Sequence, residues 1–372
     1  MGMKPGSDAA QPMLTTADAV LQQAIAARAF PCAAYGIWLQ GRVVATGATG
    51  RFTYEADAPP AQPETIFDLA SVSKVVATTA MAMRLWERGL LDLEQPVSTW
   101  LPEFAASGDA AREAVTVRML LAHSSGLPAH ARLGEQCATA AELIQACMQM
   151  PLEAAPGTRA LYSDIGFILL GVLLERVTGD RIDAFCEREV FRPLGMEHTR
   201  FLPPAAWRDA IAPTQIDETL RRRVIQGEVQ DENCWRMGGV SGHAGVFGTV
   251  PDLLRFAACI LQLGHPLFEA CTIEQFTQRD AMVAGSSRAL GWDTPSTPSS
   301  SGQYFSAHSA GHLGYTGTSL WLDFEKDLAI VLLTNRTYPG NGSEGISKAI
   351  QNVRPHFHDA VFADLRCGGI SF

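Results

Sequence analysis

The chain has 372 residues, 47% apolar and 18% charged, enough to bury the core of one large two-lobed protein and too apolar for a disordered one. A formal charge of −10, with no basic cluster beyond Arg221-Arg222-Arg223 on an expected solvated loop or helix face, excludes nucleic acid as an expected partner. No run of about 18 apolar residues exists, so no membrane span is expected, and the polar stretch Met1 to Gln11 does not read as a signal peptide, which makes the cytoplasm the expected compartment.

Residues 1–14 read as a flexible N-terminus. Thr16 to Arg28 is amphipathic and predicts a helix. Ala33 to Leu39 and Val43 to Thr46 predict two strands joined across Gly41-Arg42 as a hairpin. Asp57 to Pro63 is a loop. Ser71 to Arg88 lacks Gly and Pro and predicts a long helix ending at Gly89. Helices follow over Thr116 to Ala122, Thr139 to Met150 and the nearly all-apolar Ile165 to Val177, which stops at Gly179. Another spans Pro251 to Leu263, with Pro in its first turn. Pro295 to Gly302 is a Ser/Thr/Pro loop. Ser319 to Asp323 and Leu328 to Thr334 predict strands turning at Phe324 to Asp327, and a last helix follows Gly345. The eight cysteines, several in apolar helical runs, show no close pairing and no C-x-x-C pattern. They read as buried thiols of a reducing compartment, not as a disulfide framework.

Strands lie at both ends and helices between them. The expected fold is α/β (α+β): an antiparallel sheet from 15–70 and 290–372, flanked by the first and last helices, plus a mainly helical lobe over 71–289. The cleft between the lobes is the expected site, and a monomer is the expected state.

Three segments carry chemistry. In Ser71-Val72-Ser73-Lys74, spacing i, i+3 puts Ser71 and Lys74 on one helix face. The Ser71 hydroxyl and N–H lie at the helix start, where developing anions are favoured. Burial of Lys74 would favour its neutral, basic form. The plain alternative is a capping serine and a solvated lysine. In Leu161-Tyr162-Ser163-Asp164, a Tyr at a helix head can aim its hydroxyl into a cleft; the alternative is a half-buried Tyr bonded to backbone. In Gly311-His312-Leu313-Gly314-Tyr315-Thr316-Gly317, glycines let a strand edge approach a substrate; the alternative is a flexible turn.

In order and spacing these segments resemble the motifs of the penicillin-binding protein and β-lactamase superfamily: S-x-x-K, then Y-x-N or a relative, then K-T-G or H-x-G. Leu120 to Pro128 resembles the family's LLxHxSGLP turn, and Gly238 to Val246 has a family look. The resemblance covers residues 16 to 362 and is closest to class C β-lactamase-like serine hydrolases, which include esterases. Gln230 to Asn233 and Thr334 to Pro339 resemble a branch of cell-wall-recycling amidases that cleave between N-acetylmuramic acid and L-alanine.

The resemblance implies a β-lactamase/transpeptidase-like fold and an acyl-enzyme serine hydrolase without a cofactor or metal. Its substrate would be a small ester, amide or muropeptide. Ser71, Lys74 and Tyr162 would be catalytic, with the N–H groups of Ser71 and Tyr315 as the oxyanion hole and Asp164, His312, Gly314 and His243 binding substrate. Two departures matter. His312 stands where lactamases keep a charged Lys, and Asp164 stands where they keep Asn, whose amide can donate to a lactam. Both suit esters or other amides better than β-lactams. The class A deacylation Glu has no counterpart, which leaves Tyr162 and Lys74 to activate the second water. Arg336 is a possible replacement cation. His123 reads as a structural residue capping backbone, and Asp231-Glu232-Asn233 as a polar cluster without metal-ligand spacing. A true β-lactamase or D,D-peptidase, and a non-catalytic binder or sensor of cell-wall fragments, stay open as alternatives.

Overall fold

The computed structural model describes residues 14–106, 108–340 and 344–370. The expected N-terminal tail lies outside them, except Leu14, which is buried and precedes the first helix, Thr15–Ala26.

Five antiparallel strands form the main sheet, in the order Arg42–Gly50, Cys32–Leu39, Leu328–Thr334, Ser319–Asp323, Ser309–Leu313. The central strand Leu328–Thr334 is apolar as far as its closing Thr334 and buried at every residue, as a strand covered on both faces must be. The first helix and the last, Glu344–Cys367, pack on one face, where Leu21, Ile330 and Phe357 share a core. The helix Val250–Leu261 packs on the other face. Sequence order alone had grouped that helix with the helical lobe; its apolar stripe instead meets the sheet.

The strands Ser319–Asp323 and Leu328–Thr334 have the bounds expected from the sequence. The first hairpin differs. Its turn is Gln40-Gly41, both with positive φ (47° and 84°), the two-residue geometry that matches strand twist. Arg42 therefore opens the second strand, which runs to Gly50 because its partner continues to Cys32. The Gly-rich third segment begins, as the strand-edge reading expects, in the edge strand Ser309–Leu313, with His312 opposite Leu320. Gly311 is required there because a Cβ would lie 2.2 Å from Trp321 Cδ2.

The helix expected over Ser71 to Arg88 is continuous but uneven. It opens as a 3-10 turn at Ala70–Val72, widens to π geometry over Lys74–Thr79 and becomes α-helical over Ala80–Glu87. Widened turns of this kind gather at functional sites. Opposite it runs the buried helix Asp164–Thr178, capped by Ser163 and ended by left-handed Gly179. Among the described residues, no helix is long and apolar enough to cross a membrane. All eight cysteines are free; Cys271 and Cys367 are exposed rather than buried.

Candidate active site

Ser71 is delivered by the loop that precedes its helix. Ala70 takes a left-handed φ of 47°, and its N–H donates to the buried Asp68 carboxylate (2.9 Å). Asp68 also accepts from Gln230 N (2.7 Å), and burial raises its pKa to about 6. One turn on, Lys74 Nζ donates to Ser71 Oγ (3.0 Å), to Asp164 Oδ1 (2.7 Å) and to the backbone oxygen of His243 (2.9 Å). The Tyr162 ring lies beside this group, its centroid 4.9 Å from Lys74 Nζ.

These contacts decide the charges. Burial works against the Lys74 ammonium, but Asp164 and Tyr162 outweigh it and raise the Lys74 pKa above its ordinary value. Burial likewise opposes ionisation of Asp164, yet Lys74 and then His130 hold its carboxyl well below the usual range. Tyr162 is pushed up by burial, with Lys74 opposing. The resting state is thus ammonium, carboxylate and phenol. This corrects the expectation of a neutral Lys74, and it attaches Asp164 to the lysine instead of leaving it free for substrate.

The second segment is held by the LLxHxSGLP turn. Ser163 N donates to His123 Nδ1 (3.0 Å), Leu161 N donates to the His123 carbonyl (2.8 Å), and Ser163 Oγ donates to the Pro128 carbonyl (2.6 Å). The His123 and Tyr162 rings lie 4.5 Å apart. Burial, then Arg288 and Lys74, drive the His123 pKa far down, so it stays neutral. Gly238 to Val246 threads between the two helices. A Cβ on Gly242 would come within 2.1 Å of the Phe167 carbonyl oxygen, so only glycine fits where the chain brings His243 O to Lys74.

The third segment docks directly on the first. Thr316 Oγ1 donates to Asp68 O (2.8 Å) and Thr318 Oγ1 to Leu69 O (2.9 Å). Gly314 sits so close that a Cβ would lie 2.0 Å from Thr318 Oγ1. Neither Ser71 N nor Tyr315 N donates to another backbone group among the described residues, and both residues line one cavity of about 570 Å³. His312 lines it too. Its Nδ1–H donates to the Leu313 carbonyl (2.8 Å), leaving Nε2 buried without a partner. Burial, then Lys74 and Arg288, lower its pKa to about 3.

Ser71, Lys74, Tyr162, Asp164, His312, Gly314 and Tyr315 therefore converge. The ring of His243 does not line the cavity. It is buried, with Nε2 donating to Asp231 Oδ1 (2.8 Å) and Nδ1 beside Ser241 Oγ (2.9 Å), and Asp231 faces the cleft in its place. Burial raises the Asp231 pKa, but His243 lowers it further. Arg221, expected on a solvated face, is buried. It pairs with Asp217 (3.2 Å) and donates to Val229 O (2.6 Å), holding the segment that presents Asp231. Sequence reasoning missed His130, Arg132, Arg288 and Arg354, which also line the cavity. Isolated residues outside any motif carry no signal, except Arg354, whose spacing sets it in the apolar stripe of the last helix.

The family model for beta-lactamase matches residues 17–353. An N-acetylmuramyl-L-alanine amidase of Bacillus subtilis (strain 168) is 32% identical over 87% of this chain and 81% of its own. A putative D-alanyl-D-alanine carboxypeptidase of Escherichia coli (strain K12) is 32% identical over 74% of this chain and 70% of its own. The chain belongs to the beta-lactamase family. It is a serine hydrolase of that family, acting on ester or amide bonds. The fold agrees: a simvastatin synthase (LovD) from Aspergillus terreus, 21% identical, superposes with a TM-score of 0.73, covering 97% of this chain and 100% of that one.

Proposed function

We propose that Ser71 is the nucleophile of this hydrolase, that Tyr162 and Lys74 move its proton, and that the substrate is a cell-wall fragment of the muropeptide class cleaved at an amide bond. The observation that carries the reading is the Lys74 Nζ to Ser71 Oγ contact of 3.0 Å, with the Tyr162 ring centroid 4.9 Å from the same Nζ. Once the Tyr162–Lys74 pair has lost one proton from its resting ammonium and phenol, Ser71 Oγ bonds to the substrate carbonyl carbon while its own proton passes to that pair. The C–N or C–O bond then breaks, and the pair returns the proton to the leaving amine or alcohol. Water attacks the acyl-enzyme by the same route, and Ser71 regains its proton. The N–H groups of Ser71 and Tyr315 would hold the oxyanion. His312 Nε2, a neutral acceptor, would take an N–H or O–H from the substrate where a lactamase lysine donates.

Two relatives, named as an N-acetylmuramyl-L-alanine amidase and a putative D-alanyl-D-alanine carboxypeptidase, support the substrate class. So does a cleft that offers carboxylates (Asp231, Glu232) and guanidiniums (Arg132, Arg288), as a zwitterionic peptide requires. The test is mass spectrometry after treatment with a serine-reactive phosphonate. The adduct is expected on Ser71, and Ser71→Ala is expected to fold normally while losing nearly all turnover of a muramyl dipeptide. An adduct on another serine would overturn the assignment.

A further inference from the structure

The last helix, Glu344–Cys367, buries Ile350, Arg354, Phe357, His358 and Val361. Their spacing is that of an apolar stripe, yet two members are polar. A buried guanidinium persists only where its donors are satisfied. The Nε and Nη2 donors of Arg354 go to a single turn of backbone. Its Nη2 donates to Gly314 O (2.5 Å) and Thr318 O (2.9 Å), and its Nε to Gly317 O (3.2 Å). Burial, then Arg336, lowers the Arg354 pKa to about 9, which keeps it charged at neutral pH. Arg336 grips the same turn from the other side, donating from Nε to Tyr315 O (2.5 Å) with its guanidinium 4.3 Å from the centre of the Tyr315 ring.

The carbonyl of Gly314 and the N–H of Tyr315 belong to one peptide group. That group is planar and conjugated, so its oxygen and its hydrogen respond together. A positive charge on the oxygen withdraws electron density from the nitrogen and makes its N–H a stronger donor, as in a chain of aligned hydrogen bonds. The Tyr315 N–H, like that of Ser71, has no backbone acceptor among the described residues.

We propose that Arg354 is a positioning residue for hydrolysis: by gripping the Gly314 carbonyl it fixes and polarises the Gly314–Tyr315 peptide, the strand-side donor to the oxyanion. The proposal rests on the oxyanion hole described under Proposed function and deepens it. Arg354 borders the cleft but acts through the peptide, so its effect belongs to the transition state and not to substrate binding.

The experiment compares Arg354→Met and Arg354→Lys with the full-length wild type on a p-nitrophenyl ester. Three readouts are taken: kcat and KM, the affinity for a boronic acid that forms a tetrahedral serine adduct, and the rate ratio of the ester to its thionoester. Removing an oxyanion donor outright costs on the order of 100-fold in kcat, so a weakened donor is expected to cost about 30-fold in Arg354→Met, with KM within about twofold. Boronate affinity should fall in the same proportion. Arg354→Lys keeps the charge but not the three-way fork and should lose about fivefold. If Arg354→Met does not fold, Arg354→Lys carries the comparison. A folded variant with kcat and boronate affinity within twofold of wild type overturns the proposal. So does a rise in KM greater for anionic esters, which would mean that Arg354 touches substrate. The thionoester ratio separates this inference from the reading beneath it, because sulfur is a poor acceptor for oxyanion-hole donors. A wild type with no preference for oxygen brings down the oxyanion hole itself. A wild type that prefers oxygen, beside variants unchanged in ratio and kcat, brings down only the part given to Arg354.

Discussion

The two walls of the cleft are built on opposite plans. On the helical wall, Lys74 is tied to Ser71, Asp164 and a backbone carbonyl, and the Tyr162 ring packs against His123 and beside Lys74. On the strand wall, His312 Nε2 is buried with no partner and the Tyr315 N–H has no backbone acceptor. The difference assigns the work. A wall whose side chains satisfy one another can store and pass a proton without substrate. A wall with open donors and acceptors is completed only when substrate arrives.

The largest test of that division removes the proton carriers. Lys74→Ala and Tyr162→Phe should each lower kcat on a good ester by about 100-fold or more, the usual scale for acid–base groups. Lys74→Ala also removes the ion pair that most lowers the Asp164 carboxyl, leaving the weaker contact to His130 (3.5 Å), so that carboxyl should titrate nearer to its ordinary range. Near wild-type kcat in Tyr162→Phe would reduce Tyr162 to a structural residue.

A smaller effect, read as a pH profile, sharpens the same wall. The Lys74 and Tyr162 pKa values both lie above their ordinary values. The form of the pair that accepts the Ser71 proton carries one proton fewer than the resting form, so it is scarce at neutral pH and grows as pH rises. On an ester, kcat/KM should therefore climb about tenfold per pH unit between about pH 7 and 9. Asp164→Asn removes the carboxylate that most favours the ammonium, burial then dominates, and the climb should begin at lower pH. An unmoved profile in Asp164→Asn would separate Asp164 from the proton work.

What the sequence revealed follows the range of each interaction. Ser71 and Lys74 are three residues apart on one helix, so their meeting is written in local spacing. The strands Ser319–Asp323 and Leu328–Thr334 are legible because β-branched and apolar runs end at a turn. The Lys74–Asp164 ion pair spans 90 positions, and no local pattern sets the charge state of either partner. His243 failed for a related reason: in a Gly-rich stretch, side-chain direction depends on the tertiary path, which turns its ring to Asp231 and only its carbonyl to Lys74. Arg221 sat in a basic triplet that looked solvated, while its structural meaning came from the distant carbonyls of Val229 and Gln230.

The smallest expected effect is a flat line, and it tests the strand wall. Lactamases resembling this chain carry a fixed cation in the third motif to anchor the drug's carboxylate. Here that position is His312, with a pKa of about 3 set by burial and by the nearby charges of Lys74 and Arg288. A buried histidine so depressed stays neutral from about pH 5 upward, whereas an ordinary one, titrating near 6.5, would gain charge as pH falls toward 6. Both substrates need the same Tyr162–Lys74 pair, so dividing kcat/KM for nitrocefin by kcat/KM for p-nitrophenyl butyrate cancels its titration. With no cation gained at His312, that ratio should stay below about one tenth, the tenfold cost of a lost anchor worth roughly 1.4 kcal/mol, and should be level between about pH 5.5 and 8. A ratio that climbs several-fold toward pH 5.5 would mean that His312 charges and draws in the carboxylate. A ratio far above one at every pH would mean that Arg288 or Arg336 already supplies the anchor and that the chain hydrolyses β-lactams despite its altered motifs.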